Sequence, residues 1–88
     1  MIHTVTIKNH AFDPPSLKVK IGDSVKWQNK DSVRHSARRD ANPEFDTGLL
    51  NPGNESVVIN FTAASPAAGF GYYCEPHPHM TGIVIVSG

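Results

Sequence analysis

Three side chains near the C-terminus have the types and spacing to do chemistry. In Tyr72-Tyr73-Cys74-Glu75-Pro76-His77-Pro78-His79-Met80-Thr81-Gly82, a thiol, an imidazole and a thioether stand at positions 74, 77 and 80, each three residues from the next. Soft sulfur beside imidazole favours copper. Two histidines and a cysteine with a long axial methionine are the ligand set of blue-copper electron-transfer sites. Pro76 and Pro78 bracket His77 and fix φ on either side of it, so this segment has little freedom to lose when a metal arrives. The set needs a second histidine from elsewhere. His35 is the best candidate because it follows a strand-like stretch, Val25–Gln28, and the turn signal Asn29-Lys30-Asp31. His3 and His10 lie at the two ends of the first strand region, and neither has a motif around it.

The elements that must position these donors are strands. Val5 and Ile7 alternate with Thr4, Thr6 and Lys8; Leu17, Val19 and Ile21 alternate with Lys18 and Lys20; Val25 and Trp27 alternate with Lys26 and Gln28. Val57, Ile59 and Phe61 continue the pattern, as do Phe70, Tyr72 and Cys74. A period of two turns one face to a core and the other to water. Ile83-Val84-Ile85-Val86 is apolar on both faces, which predicts a strand covered from both sides. Asp13-Pro14-Pro15, Gly22-Asp23, Asn51-Pro52-Gly53-Asn54 and Ser65-Pro66 mark turns. Short strands at this spacing predict an antiparallel sandwich or barrel. Residues 38–55 show no sustained period and are expected to form a long loop, with one short helical turn, packed through Phe45, Leu49 and Leu50.

Composition narrows the function classes. The 88 residues make one domain, 1–88, near the lower limit for a self-sufficient core. A single cysteine excludes an internal disulfide and every multi-cysteine zinc motif. Eight Lys and Arg against eight Asp and Glu give zero formal net charge, which removes the bulk electrostatic case for a nucleic-acid binder. No apolar run approaches the roughly 20 residues of a membrane span. Met1 to Ile7 lacks the basic and apolar segments of a secretory signal. The chain is therefore either cytoplasmic or a mature domain headed by an added Met.

The residues also resemble a family. Phe12, Pro14, Leu17 and Val19, then Gly22-Asp23-Ser24-Val25-Lys26-Trp27-Gln28-Asn29, Asp31 and His35 are similar to the corresponding segments of the cupredoxins, and so are Phe45 to Gly53 and Tyr72 to Gly82. The resemblance is to the small plastocyanin- and amicyanin-like members and covers nearly the whole chain. Two residues between Cys74 and His77, and two between His77 and Met80, match the short amicyanin-type loop. The resemblance implies an all-β fold, an antiparallel Greek-key β-sandwich of seven to eight strands. It implies one copper ion held by His35, Cys74, His77 and Met80, with His77 nearest the surface as the electron port. It further implies a monomer that exchanges electrons with redox proteins, in the periplasm or another extracytoplasmic compartment, and no enzymatic turnover.

Two departures from the family pattern stand out. Ser36 follows the first histidine where the family often has Asn, so the side-chain bond tying the two ligand loops must be weaker or different. His79 takes a place usually held by a bulky apolar residue, and is expected as a solvated or docking-surface side chain. Arg34, Arg38 and Arg39 cluster near His35, either as a solvated face or as a rim that steers an acidic redox partner. Other classes remain open on the residues alone. A copper-homeostasis protein would use His3, His10 and His79 as weak outer sites. A zinc site would use Cys74, His35 and His77, although structural zinc usually takes more cysteines. A Cys–His hydrolase would leave Met80 unexplained.

Overall fold

The computed structural model describes residues 1–88 and contains nine strands and no helix. They are β1 (Ile2–Lys8), β2 (Ala11–Asp13), β3 (Ser16–Lys20), β4 (Ser24–Asn29), β5 (Arg38–Arg39), β6 (Phe45–Asp46), β7 (Ile59–Asn60), β8 (Phe70–Cys74) and β9 (His77–Ser87). One sheet has the order β2-β1-β4-β7 and the other β3-β9-β8-β5-β6. Between them lie the inward positions of the alternating runs: Val5 and Ile7, Val25 and Trp27, Phe70 and Tyr72, Val84 and Val86. The all-β sandwich expected from periodicity is present. No helix is long and apolar enough to cross a membrane.

The sheets are mixed rather than purely antiparallel. β1 pairs with β4 in parallel, from Ile2 opposite Ser24 to Ile7 opposite Asn29, and β3 pairs with β9 in parallel. The chain path explains the first pair. After the β1–β2 hairpin the chain changes sheet at Pro14-Pro15 and runs on as β3, then reverses at Gly22. β4 thus re-enters the first sheet in the direction of β1. Consequently β1, β4 and β8 all deliver their C-terminal ends to one pole of the sandwich.

Local differences from expectation follow from burial. Residues 38–55 hold no helical turn; Arg38–Arg39 and Phe45–Asp46 pair as short antiparallel strands. Phe45 and Leu50 are buried, but Leu49 is exposed. Of the Val57–Phe61 run only Ile59 and Asn60 pair, with Val25 and Ser24, and Val57 stands in solvent. In β9, Val84 and Val86 are buried while Ile83 is exposed and Ile85 half-buried, so this strand is covered on one face only.

Candidate metal centre

Cys74 ends β8 and His77 begins β9, with only Glu75 and Pro76 between them, and the two residues face each other across the hairpin. The next pair is Tyr73 opposite Thr81. Between these pairs β8 moves by one residue and β9 by four, so Pro78, His79 and Met80 form an irregularity with no partners on β8. Such a bulge re-aims side chains. Here Met80 is buried in the same cluster as Cys74, while Pro78 and His79 stay exposed.

His35 arrives from the other sheet. Asn29, the last residue of β4, is fully buried and satisfied on every side. Its Nδ2 donates to the Val33 and Leu50 carbonyls, both at 2.9 Å, and its Oδ1 accepts the Asp31 N–H at 2.9 Å. His35 and Leu50 then exchange main-chain hydrogen bonds of 3.2 and 2.7 Å. These bonds hold a loop that has no sheet of its own.

Three of the four donors named from sequence converge. The Cys74 sulfur lies 3.5 Å from His35 Nδ1 and 3.7 Å from His77 Nδ1. Cys74 and His35 are fully buried and His77 is half-buried. The Ser36 N–H points at the Cys74 sulfur at 3.4 Å. The carboxyl of Asp31 accepts hydrogen bonds from the His10 amide and from His35, which hold it at about 2, well below its ordinary value. Asp31 is therefore an anion and an acceptor. Its Oδ2, 2.8 Å from His35 Nε2, places the ring proton there and leaves the Nδ1 lone pair facing the sulfur.

The loop tie at Ser36, expected to be weaker or different, is different. Ser36 Oγ accepts the Glu75 N–H at 3.0 Å, joining the His35 loop to the Cys74–His77 hairpin. Arg38 adds an exposed link, with Nη1 at 2.6 Å from Glu75 Oε2 and Nε at 2.7 Å from Asp40 Oδ1. Asp40 also accepts the Tyr73 hydroxyl at 2.6 Å.

The basic cluster is largely internally compensated. Arg38 is paired as above, and Arg39 lies 4.9 Å over the Phe70 ring and donates to the carbonyls of Gly71 and Asn42. Only Arg34 is exposed without an ion pair. His3 is at the opposite pole, 2.9 Å from Asp23. His79 is exposed and outside the ring cluster.

Sequence reasoning named His10 only as a weak outer site of the copper-homeostasis alternative and missed its place beside the ligands. It sits in the β1–β2 turn beside Asn9, both in the left-handed region (φ 55° and 53°), and its amide donates to Asp31 Oδ2 at 2.9 Å. Its ring stands edge-on to His35 and to His77, at 5.1 and 4.9 Å between centroids. The signal that would have found it is the parallel pairing of β1 with β4, which sets the residues after Ile7 beside those after Asn29.

A buried thiol flanked by two imidazole nitrogens, with a buried thioether three residues from the nearer histidine, suits a soft, thiophilic ion such as copper. Comparison with known proteins agrees. Residues 1–87 match the family described as copper binding proteins, plastocyanin/azurin family. Amicyanin of Paracoccus denitrificans is 30% identical over 82 residues, spanning 93% of this chain and 63% of that protein. Plastocyanin of Nostoc punctiforme is 31% identical over 91 residues, spanning 89% of this chain and 66% of that one. The chain thus matches just under two thirds of the length of each. Among solved structures, a reduced amicyanin variant superposes with a TM-score of 0.86 at 27% identity, covering 96% of this chain and 80% of that one. The chain belongs to the plastocyanin/azurin family of copper-binding proteins.

Proposed function

We propose that residues 1–88 form a single electron-carrier domain that binds one copper ion through His35, Cys74, His77 and Met80. The observation that carries this reading is the fully buried Cys74 sulfur set between two histidine Nδ1 atoms at 3.5 and 3.7 Å. Copper bound there supplies one-electron Cu(I)/Cu(II) chemistry. The chain's own residues supply the rest. Asp31 fixes the tautomer of His35, the Ser36 N–H donates toward the Cys74 sulfur, and the bulge keeps Met80 inside. Ser36 Oγ and Asn29 hold the two ligand loops to each other and to β4, which limits rearrangement between oxidation states. Four protein donors leave no designated place for a substrate, so the domain is a carrier and not an enzyme.

His77, the half-buried ligand, is the route for electrons to a redox protein that docks over it. Of the nearby cations, Arg34 is the one free to meet an acidic partner, since Arg38 and Arg39 already have partners. The family resemblance supports a monomer working outside the cytoplasm. The test is the visible spectrum on adding Cu(II). The parent protein is expected to show an intense thiolate-to-copper band, and Cys74→Ser to lose it; a band that survives Cys74→Ser overturns the reading.

A further inference from the structure

The copper reading uses one nitrogen of His35, and the other nitrogen faces a second set of donors. Asp31 Oδ2 lies 2.8 Å from His35 Nε2 and 3.6 Å from His10 Nδ1. One donor atom from each of His10, Asp31 and His35 lies within 4.8 Å of the other two. Tetrahedral zinc with bonds of about 2.0–2.2 Å keeps its donor atoms roughly 3.3–3.6 Å apart. The observed spacings bracket that range, and the ring that must adjust is the exposed one: the His10 side chain is 54% exposed, against 12% for Asp31 and 0% for His35. Solvent therefore reaches the set and can complete the coordination. The backbone is already in place, because the left-handed turn at Asn9 and His10 is pinned by the His10 amide to Asp31.

We propose that His10, Asp31 and the Nε2 atom of His35 form an outer zinc site that competes with copper at the inner donors. Competition follows from the chemistry of one ring. A neutral imidazole carries one proton and one free lone pair. An inner ion takes the lone pair of Nδ1, which leaves the proton on Nε2 for Asp31 to accept. An outer zinc takes the lone pair of Nε2, and the ring proton then sits on Nδ1, facing the Cys74 sulfur. The two ions draw on opposite tautomers of His35, so each disfavours the other. The outer set is nitrogen and oxygen only, which suits zinc better than Cu(I). Its existence does not depend on the copper reading, although the competition does.

The test titrates zinc into copper-free Cys74→Ser protein, where the inner thiol is gone, and follows heat together with long-range ¹H–¹⁵N spectra of the imidazoles. One zinc per chain is expected, attached to Nε2 of His35. His10→Asn keeps a residue that tolerates the left-handed turn and keeps the amide bond to Asp31. Added to Cys74→Ser, it should weaken zinc by roughly tenfold or more, a loss seen even when a residue that merely supports a ligand is removed. Attachment through Nδ1, an affinity unchanged by His10→Asn, or no zinc binding at all overturns the site. In the parent protein, copper should displace the outer zinc one for one; simultaneous binding of both overturns the competition. Failure of the copper reading itself would show separately, as a parent protein with no thiolate band on adding Cu(II).

Discussion

Removing the Ser36 hydroxyl tests whether one main-chain hydrogen bond carries the connection between the two ligand loops. In Ser36→Ala, Cβ stays, so no cavity of consequence opens, and the Ser36 N–H still reaches the Cys74 sulfur. What is lost is the acceptor of the Glu75 N–H, now 3.0 Å from Ser36 Oγ and partly buried. A buried donor left without a partner costs about 1–3 kcal/mol. Partial access of water to Glu75 puts this case in the lower half, about 1–2 kcal/mol. For a domain of this size each kcal/mol lowers Tm by about 4–8 °C, so the expected fall is roughly 4–16 °C. Arg38→Met is the control. Its bond to Glu75 joins side chains 37% and 50% exposed, and such solvent-screened pairs contribute little to stability. Thermal and urea unfolding of the copper-free proteins measures both. With Cu(II) added, Ser36→Ala should keep the visible band, because its ligands are intact, but show a shifted midpoint potential. A Tm within about 2 °C of the parent, or a larger loss in Arg38→Met than in Ser36→Ala, would refute the argument.

Two further outcomes follow from packing and charge. A Cβ added at Gly82 would overlap the Tyr72 ring. That ring is packed against Phe12 and Trp27 at 4.7 and 5.2 Å and has nowhere to go. Gly82→Ala should therefore cost about 1–3 kcal/mol as overpacking, read by urea midpoint; an unchanged midpoint would mean that Tyr72 can move. At the other pole, a hydrogen bond from His3, helped by the Lys20 amide, holds the Asp23 carboxyl at about 2 against an ordinary 3.8. A lowered folded-state value means stability that is present above the unfolded value and is lost as pH falls through the folded one. Asp23→Asn should be less stable than the parent near neutral pH, with the gap narrowing below about pH 4 and closing near pH 2. A gap that persists at pH 2 would count against this account.

The parts of the site legible in the sequence are those fixed by short-range spacing. Cys74, His77 and Met80 lie within one hairpin, and strand alternation on either side brings them to the same pole whatever the rest of the chain does. His35 was legible because a strand and a turn precede it. The rest depends on pairings between distant segments. His10 looked like a histidine without context because its context is Asp31, 21 residues away, and the two meet only because β1 and β4 run in parallel. An antiparallel pairing, as alternation alone suggests, would carry the β1–β2 turn to the opposite pole. At Ser36 the tie differs from the family's, as its departure from the amide side chain implies: its hydroxyl accepts a main-chain N–H at 3.0 Å, a partner set by the pairing of two distant loops. The arginines illustrate the same limit: three cations close in sequence look like a surface feature, but Arg38 and Arg39 are taken up by Asp40, Glu75 and Phe70.

That dependence on pairing also bears on how a domain this small holds a buried polar cluster. Around the ligands, His35, Ser36 and Asn29 are the buried polar side chains, and each is bonded to main chain or to a fixed carboxylate. Burying polar groups without such partners would cost several kcal/mol each, a large part of the stability available to 88 residues. Neutral main-chain bonds do this work at the loop tie, and the one charge in contact with the cluster, Asp31, sits at its edge where water reaches it. A loop set tied by neutral bonds keeps its shape when the charge of a bound ion changes by one, since the one ion pair that also spans the loops, Arg38–Glu75, is exposed and weak. The electron transfer proposed for this domain asks for that property, and it rests on β4 and β8 running in the same direction, so that both ligand loops stand at one pole.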